Sequence, residues 1–165
     1  MYQHLIKCNS WSITALTDLK EESFIKKFNN SPQFVVINDK GIISSSLFLW
    51  AKSIIYRIEN ELTKKNISIP TDISRMWFNI TYNDTNPHWL HKDSNNTGDT
   101  SIVIFMTPIW APGWKGSFHV DGDKFNFQPG NVIVFNSDKY HLGEPPKKEI
   151  PGWLRLTCNI VLKDL

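Results

Sequence analysis

Cysteine is nearly absent from this sequence: Cys8 and Cys158 are the only two in 165 residues, and they form no Cys-x-x-Cys pair. A disulfide framework is thereby excluded, and both read as free thiols of a reducing compartment, with Cys158 packed in a strand. Long apolar runs are missing as well, since none approaches the roughly 18 residues that mark a membrane-spanning helix. Residues 1–11 carry no basic region, apolar core and small-residue cleavage site of the secretory kind. The expectation is a soluble, cytoplasmic protein with no membrane partner. Charge of one sign is not in excess either, because 18 basic and 16 acidic residues are interspersed and leave a formal net charge of +2. That balance lacks the clustered footprint of a dedicated nucleic-acid-binding surface. What is abundant is core material, at 41% hydrophobic and 13% aromatic residues, with no repeat, low-complexity tract or linker to divide it. One domain over residues 1–165 is expected, with a helical support region at 1–70 and a β-rich core at 71–165.

Residues 1–16 alternate weakly, as an entry strand would. Asp18 followed by Glu21 resembles a capping box, and Phe24, Ile25 and Phe28 then share one helical face before Asn29-Asn30-Ser31-Pro32 ends the helix. Phe34–Ile37 reads as a strand running into a turn at Asn38-Asp39-Lys40-Gly41. A longer helix follows, capped near Ser44–Ser46, in which Leu47, Ala51, Ile54, Ile55, Ile58 and Leu62 recur at spacings of three and four until Lys64-Lys65-Asn66. After Pro70 the pattern changes to short β-branched and aromatic runs at about 75–82, 101–107, 116–120, 124–127, 131–136 and 153–162. Asp121-Gly122 between two of them signals a hairpin, and Pro129-Gly130 turns the chain again. The predicted fold is α+β but mainly β: a jelly roll with the N-terminal helices covering the outer face of one sheet.

Residues that carry chemistry gather between Trp89 and Thr157. If residues 90–93 are extended, period-2 alternation turns His91 and Asp93 to one face and Lys92 to the other. A second imidazole from a distant strand would complete the 2-His-1-carboxylate set that suits non-heme Fe(II) and leaves coordination positions open. His141, which follows the apolar run Val132–Phe135, is the candidate, although a plain turn histidine after a strand fits equally well. His119-Val120-Asp121 also spells His-x-Asp, but Asp121 begins a turn whose backbone its side chain can satisfy. His88 stands three residues before His91, yet Pro87 precedes it in a loop, which argues against the helical turn that would bring the two together. In the last strand, alternation places Leu154, Leu156, Cys158, Ile160 and Leu162 on one face and Arg155, Thr157, Asn159 and Val161 on the other. Arginine there requires either an anion or an exposed face, because burying it unpaired is expensive.

The order His91-x-Asp93, Trp110, Gly116, Pro129-Gly130, Val134-Phe135, His141 and Arg155-x-Thr157 resembles the Fe(II)/2-oxoglutarate-dependent dioxygenases, in particular the prolyl-4-hydroxylase-like branch, over residues 75–163. The resemblance implies a double-stranded β-helix with iron held by His91, Asp93 and His141. It implies that Arg155 pairs with the distal carboxylate of 2-oxoglutarate, with Thr157 beside it and Tyr82, nine residues before His91, on the same group. The implied reaction consumes O2 and 2-oxoglutarate, with ascorbate as an auxiliary, and hydroxylates a C–H bond, first of all in a protein or peptide and foremost at proline. Trp77, Trp110 and Trp114 are candidates to line such a substrate groove, with core and rim packing as the simpler account. The sequence departs from the pattern where Phe105 stands in place of a cosubstrate-binding tyrosine, and where Trp114-Lys115-Gly116 replaces the usual Gly-Gly. The proline-rich segment from Gly143 to Gly152 also extends the approach to Arg155. Two rivals stand beside this reading: the same chemistry on a small molecule or nucleobase, and a cupin-type metal-binding jelly roll that would have no use for Arg155.

Overall fold

The computed structural model describes residues 33–38, 41–42, 45–81, 90–147 and 154–164. The expected entry strand and first helix, Cys8, Tyr82 and His88 lie outside the described residues.

The long amphipathic stretch forms helix α1, Ser45–Thr63. It ends because Asn66 adopts a left-handed backbone (φ 58°). The Asn66 amide then donates to the Thr63 carbonyl at 2.9 Å and the Ile67 amide to Leu62 at 3.0 Å. This paired closure satisfies carbonyls that the helix end would otherwise leave open. The stripe read from the sequence is the buried face: Ala51 and Ile55 are buried, and Leu47, Ile54, Ile58 and Leu62 pack beside them.

Seven strands follow α1, after two that precede it. Strand β1 (Gln33–Asn38) is the expected strand, and it pairs antiparallel with β2 (Gly41–Ile42). Then come β3 (Asp72–Thr81), β4 (Thr100–Phe105), β5 (Phe118–Val120), β6 (Asp123–Phe125), β7 (Val132–Asn136), β8 (His141–Gly143) and β9 (Arg155–Lys163). Six of the nine build one antiparallel sheet in the order β2-β1-β3-β9-β4-β7, and β6-β5-β8 build a smaller one. Between β5 and β6 the register joins Val120 to Asp123, which leaves Asp121-Gly122 as a two-residue turn with both φ positive, at 51° and 91°. A turn of this hand matches the twist of the strands.

Strand β9 is the centre of the larger sheet, and its two faces divide the molecule. Leu156, Cys158, Ile160 and Leu162 pack toward α1 with Phe34, Met76, Phe78 and Ile102. The opposite face looks toward the smaller sheet across a second apolar cluster of Val103, Phe105, Phe118, Val120, Phe127 and Ile133. Two antiparallel sheets packed face to face in this way make a double-stranded β-helix, with α1 on the outer face of the larger one. His141, for which a turn position was the alternative, starts β8. Residues 90–93, whose extended conformation was the condition for bringing His91 and Asp93 to one face, join the smaller sheet through a single bridge between His91 and His141. No helix among the described residues is long and apolar enough to cross a membrane.

Candidate functional site

That bridge brings two distant parts of the chain together. The His91 amide donates to the His141 carbonyl at 3.1 Å and the His141 amide returns a bond to His91 at 2.9 Å. Directly opposed residues project to the same face of a sheet, so both imidazoles stand side by side, ring centroids 4.3 Å apart. Asp93 follows two residues later, its amide anchored on the Ser137 carbonyl at 3.1 Å. One nitrogen or oxygen atom from each of His91, Asp93 and His141 lies within 4.8 Å of the others, and no other group of this kind occurs among the described residues. Asp93 Oδ1 is 3.8 Å from His91 Nε2, and Oδ2 is 3.6 Å from His141 Nε2. These separations are too long for hydrogen bonds but shorter than twice a metal–ligand bond of about 2.1 Å, so a small divalent ion fits among them.

Neighbouring side chains hold the three groups in place. His141 is 4% exposed, and its Nδ1–H donates to the Lys139 carbonyl at 3.1 Å, which leaves Nε2 with its lone pair toward Asp93. Burial depresses the His141 pKa below the ordinary imidazole value; the Asp93 carboxylate opposes this, His91 reinforces it, and the Lys139 carbonyl opposes it again. The net result favours the neutral ring that a metal requires. Asp93 Oδ2 accepts from Ser101 Oγ at 2.6 Å, and Ser101 in turn contacts Ser137 Oγ at 2.8 Å. Arg75 donates to the Asp93 carbonyl. The buried Asp99 carboxylate accepts from Ser94 at 2.7 Å and from the Asn96 side chain at 3.0 Å, fixing the loop that follows.

A second group lies on the inner face of the larger sheet, at the start of β9. Arg155 is 2% exposed, so the solvent-facing alternative for this residue does not hold. Its Nε–H donates to the Gly116 carbonyl at 2.8 Å, and the guanidinium lies 5.7 and 5.5 Å from the Phe105 and Phe127 ring centres. Yet Nη2 is buried without a hydrogen-bond partner. Burial pushes the Arg155 pKa down to about 10, against a smaller opposing pull from Glu144, so the group is still a cation at neutral pH. Two glycines make room for it. A Cβ on Gly143 would stand 3.3 Å from both terminal nitrogens of Arg155, and one on Gly116 (φ 78°) would stand 2.8 Å from the Trp110 ring. Across β3, Thr81 faces Arg155 and Asn79 faces Thr157, and both Thr81 Oγ1 and Asn79 Oδ1 are also buried without partners.

The structure thus gathers His91, Asp93 and His141 in one group and sets Arg155 and Thr157 in a neighbouring one. Trp77 lies on the same face of β3, in register with Asn159. Trp110 closes over Gly116, donates to the Lys115 carbonyl at 2.9 Å and meets Trp114 edge-on at 5.6 Å. His119 points elsewhere, to Glu144 at 2.9 Å. Asn79, Thr81, Ser101 and Ser137 were not expected from the sequence. The first two could have been found by the alternation that isolated Arg155, since they are the polar positions between Phe78 and Ile80 and after it. The two serines carry no such signal, because only the fold brings them to Asp93.

No protein-family model matches the chain, and no curated protein matches it in sequence. Solved structures do. A prolyl-4-hydroxylase from Pseudomonas putida superposes with a TM-score of 0.60 at 15% identity, over 93% of this chain and 78% of that one. A 2OG-Fe(II) oxygenase family oxidoreductase from Burkholderia pseudomallei gives 0.60 at 16% identity, over 81% and 67%. A Trichoplax adhaerens prolyl hydroxylase, solved with a hypoxia inducible factor peptide fragment, gives 0.63 at 14% identity, over 98% and 74%. At such identities the likeness establishes a shared fold.

Proposed function

We propose that this protein is an Fe(II)- and 2-oxoglutarate-dependent dioxygenase that hydroxylates a C–H bond in a protein or peptide, with proline the first residue to test. The observation that carries the reading is the buried, incompletely paired Arg155 beside the His91, Asp93 and His141 group. Gly143, against which the guanidinium lies, is two residues from His141 on the same face of β8, about 7 Å at the usual rise of a strand. A short dicarboxylate suits that span, one end at the metal and the other at Arg155. A cupin-type reading has no role for a buried cation at this position.

Within the site, His91, Asp93 and His141 would hold the metal, which supplies the O2 and redox chemistry when bound. Ser101 keeps one Asp93 oxygen engaged, and Lys139 sets the His141 tautomer. Arg155, with Thr157 and Tyr82 as the expected companions, would bind the far carboxylate of the cosubstrate. Phe105 and Phe127 exclude water around the guanidinium, which strengthens its attraction for an anion. Trp77, Trp110 and Trp114 stand as candidates for the substrate groove. The peptide held by the Trichoplax enzyme of like fold supports a peptide substrate. Two cysteines without a pairing motif fit a cytoplasmic setting.

The test is an anaerobic thermal melt of Fe(II)-loaded protein with and without 2-oxoglutarate, repeated on Arg155→Met and His141→Ala. A ligand that binds only the folded state raises the melting temperature. The wild type should show the rise and neither variant should. Peptides can then be screened by succinate release. A wild type with metal bound and no response to 2-oxoglutarate would sink the assignment.

A further inference from the structure

The larger sheet presents two arginines on its inner face, and Arg155 is only one of them. Positions 75, 77, 79 and 81 of β3 alternate to that face, away from Met76, Phe78 and Ile80, which pack toward α1. Thr81 stands opposite Arg155. Arg75 lies back along the same strand, about 20 Å from Thr81 at the usual rise. There it stands in one row with Val161 of β9 and Ser101 of β4.

That row is the metal end of the face. Ser101 donates to Asp93 Oδ2 at 2.6 Å, and Arg75 Nη2 donates to the Asp93 carbonyl. The group opens to solvent at His91, whose side chain is 40% exposed, against 8% for Asp93 and 5% for His141. A cosubstrate running from the metal to Arg155 leads in the opposite direction along the sheet and leaves Arg75 clear of it.

Arg75 is half-buried, and most of its donors are unused. One Nη2–H goes to the Asp93 carbonyl, the guanidinium lies 5.7 Å from the Trp77 ring centre, and no acidic side chain pairs with it among the described residues. A guanidinium carries five N–H donors in a planar fork that matches a carboxylate at two points. Trp77 holds that fork by its face, and Val35, directly opposite Trp77 on β1, extends the apolar floor beside it.

Resting on the function proposed above, we infer that Arg75 and Trp77 form a substrate-selecting pair, which takes an acidic residue next to the one that is hydroxylated. The carboxylate of that residue accepts from the free edge of the Arg75 guanidinium while its methylene groups lie along Trp77. The favoured substrate is then an acidic peptide, and Arg75 is a specificity residue beside the metal.

The experiment uses short fluorescein-labelled peptides with one central proline flanked on both sides by Glu, by Gln or by Lys. Their affinities for the protein loaded with redox-inert Mn(II) and 2-oxoglutarate are read from fluorescence anisotropy, in wild type, Arg75→Gln and Arg75→Lys. A hydrogen-bonded charge pair is worth roughly a tenfold advantage for the Glu peptide over the Gln peptide in the wild type, with the Lys peptide weakest. Added salt should narrow that advantage. In Arg75→Gln it should shrink to within about twofold, while Arg75→Lys keeps the Glu peptide ahead of the Lys peptide. Gln still offers an N–H to the Asp93 carbonyl, and because the peptides are compared on the same variant, any loosening of Asp93 affects them alike.

A wild type without preference for Glu over Gln, or an Arg75→Gln variant that keeps the preference, overturns the inference and leaves the cosubstrate reading intact as long as 2-oxoglutarate still raises the melting temperature. A wild type that answers to 2-oxoglutarate but binds no peptide of the set overturns the inference together with the peptide substrate. A wild type that does not answer to 2-oxoglutarate overturns the proposed function itself. If Arg75→Gln does not fold, Arg75→Met and Arg75→Lys carry the same comparison, the first losing the preference and the second keeping it.

Discussion

Arg155 is held by one hydrogen bond through Nε and two aromatic faces, and it keeps a buried nitrogen without a partner. Such a charge is a burden on the empty fold. Replacing a buried ionic group with an apolar side chain of similar volume is often neutral or stabilising by about 1–4 kcal/mol. Arg155→Met, without ligand, should therefore melt at or above the wild-type temperature even though it no longer responds to 2-oxoglutarate. Side-by-side melts in metal-free buffer check this. A variant several degrees less stable would mean that the bond to Gly116 and the two aromatic contacts outweigh the cost of burying the charge, and would weaken the case for a bound anion. Cys158 makes the opposite case. Its thiol is buried in β9 on the α1 side, where burial pushes its pKa far up, so it packs as a small apolar group.

The two faces of β9 separate stability from chemistry. On one side α1 covers the sheet, with Ile55 at 2% and Ala51 at 0% exposure against Phe78, Ile160 and Leu162. Ile55→Ala leaves a cavity in that interface and should cost about 2–5 kcal/mol. Denaturant unfolding measures the loss, and Fe(II) and 2-oxoglutarate affinities of the folded protein should be unchanged, because nothing on this face reaches His91, Asp93, His141 or Arg155. A parallel loss of cosubstrate binding would show that the sheet transmits strain between its faces. The other side is built for a ligand: Ser101, Asn79, Thr81, Thr157 and Arg155 are all buried polar residues on the inner face. Strand β8 is only His141–Gly143, yet it contributes both an imidazole and the glycine that admits the guanidinium.

Across the whole molecule, what could be read in the sequence follows the strength of each local signal. The spacing of Leu47, Ala51, Ile55 and Leu62 fixes a helix because the 3.6-residue period is long and unbroken, and Asp121-Gly122 fixes a hairpin because few residues accept positive φ. The division of β9 into two faces was legible for the same reason. His141 as a strand residue was not, since three residues are too few for a period to show. The bridge to His91, the support of Asp93 by Ser101 and the pairing of Thr81 with Arg155 depend on contacts across 8 to 74 residues of chain, which no local pattern encodes. These long-range contacts also divide the site between the sheets. His141 belongs to the smaller sheet, whose three strands are of three residues each, and Arg155 to the larger one. A cosubstrate held at both ends would tie the two together. At a hundredfold excess over its Kd it would stabilise the folded state by about 2.7 kcal/mol. Amide hydrogen exchange should register that gain unevenly. Protection should rise most in β8, an edge strand of the smaller sheet, and least in α1, which packs on the outer face of the larger one away from the site. An increase confined to the larger sheet would mean that the ligand is held by Arg155 alone, and that His91, Asp93 and His141 do not take its other end.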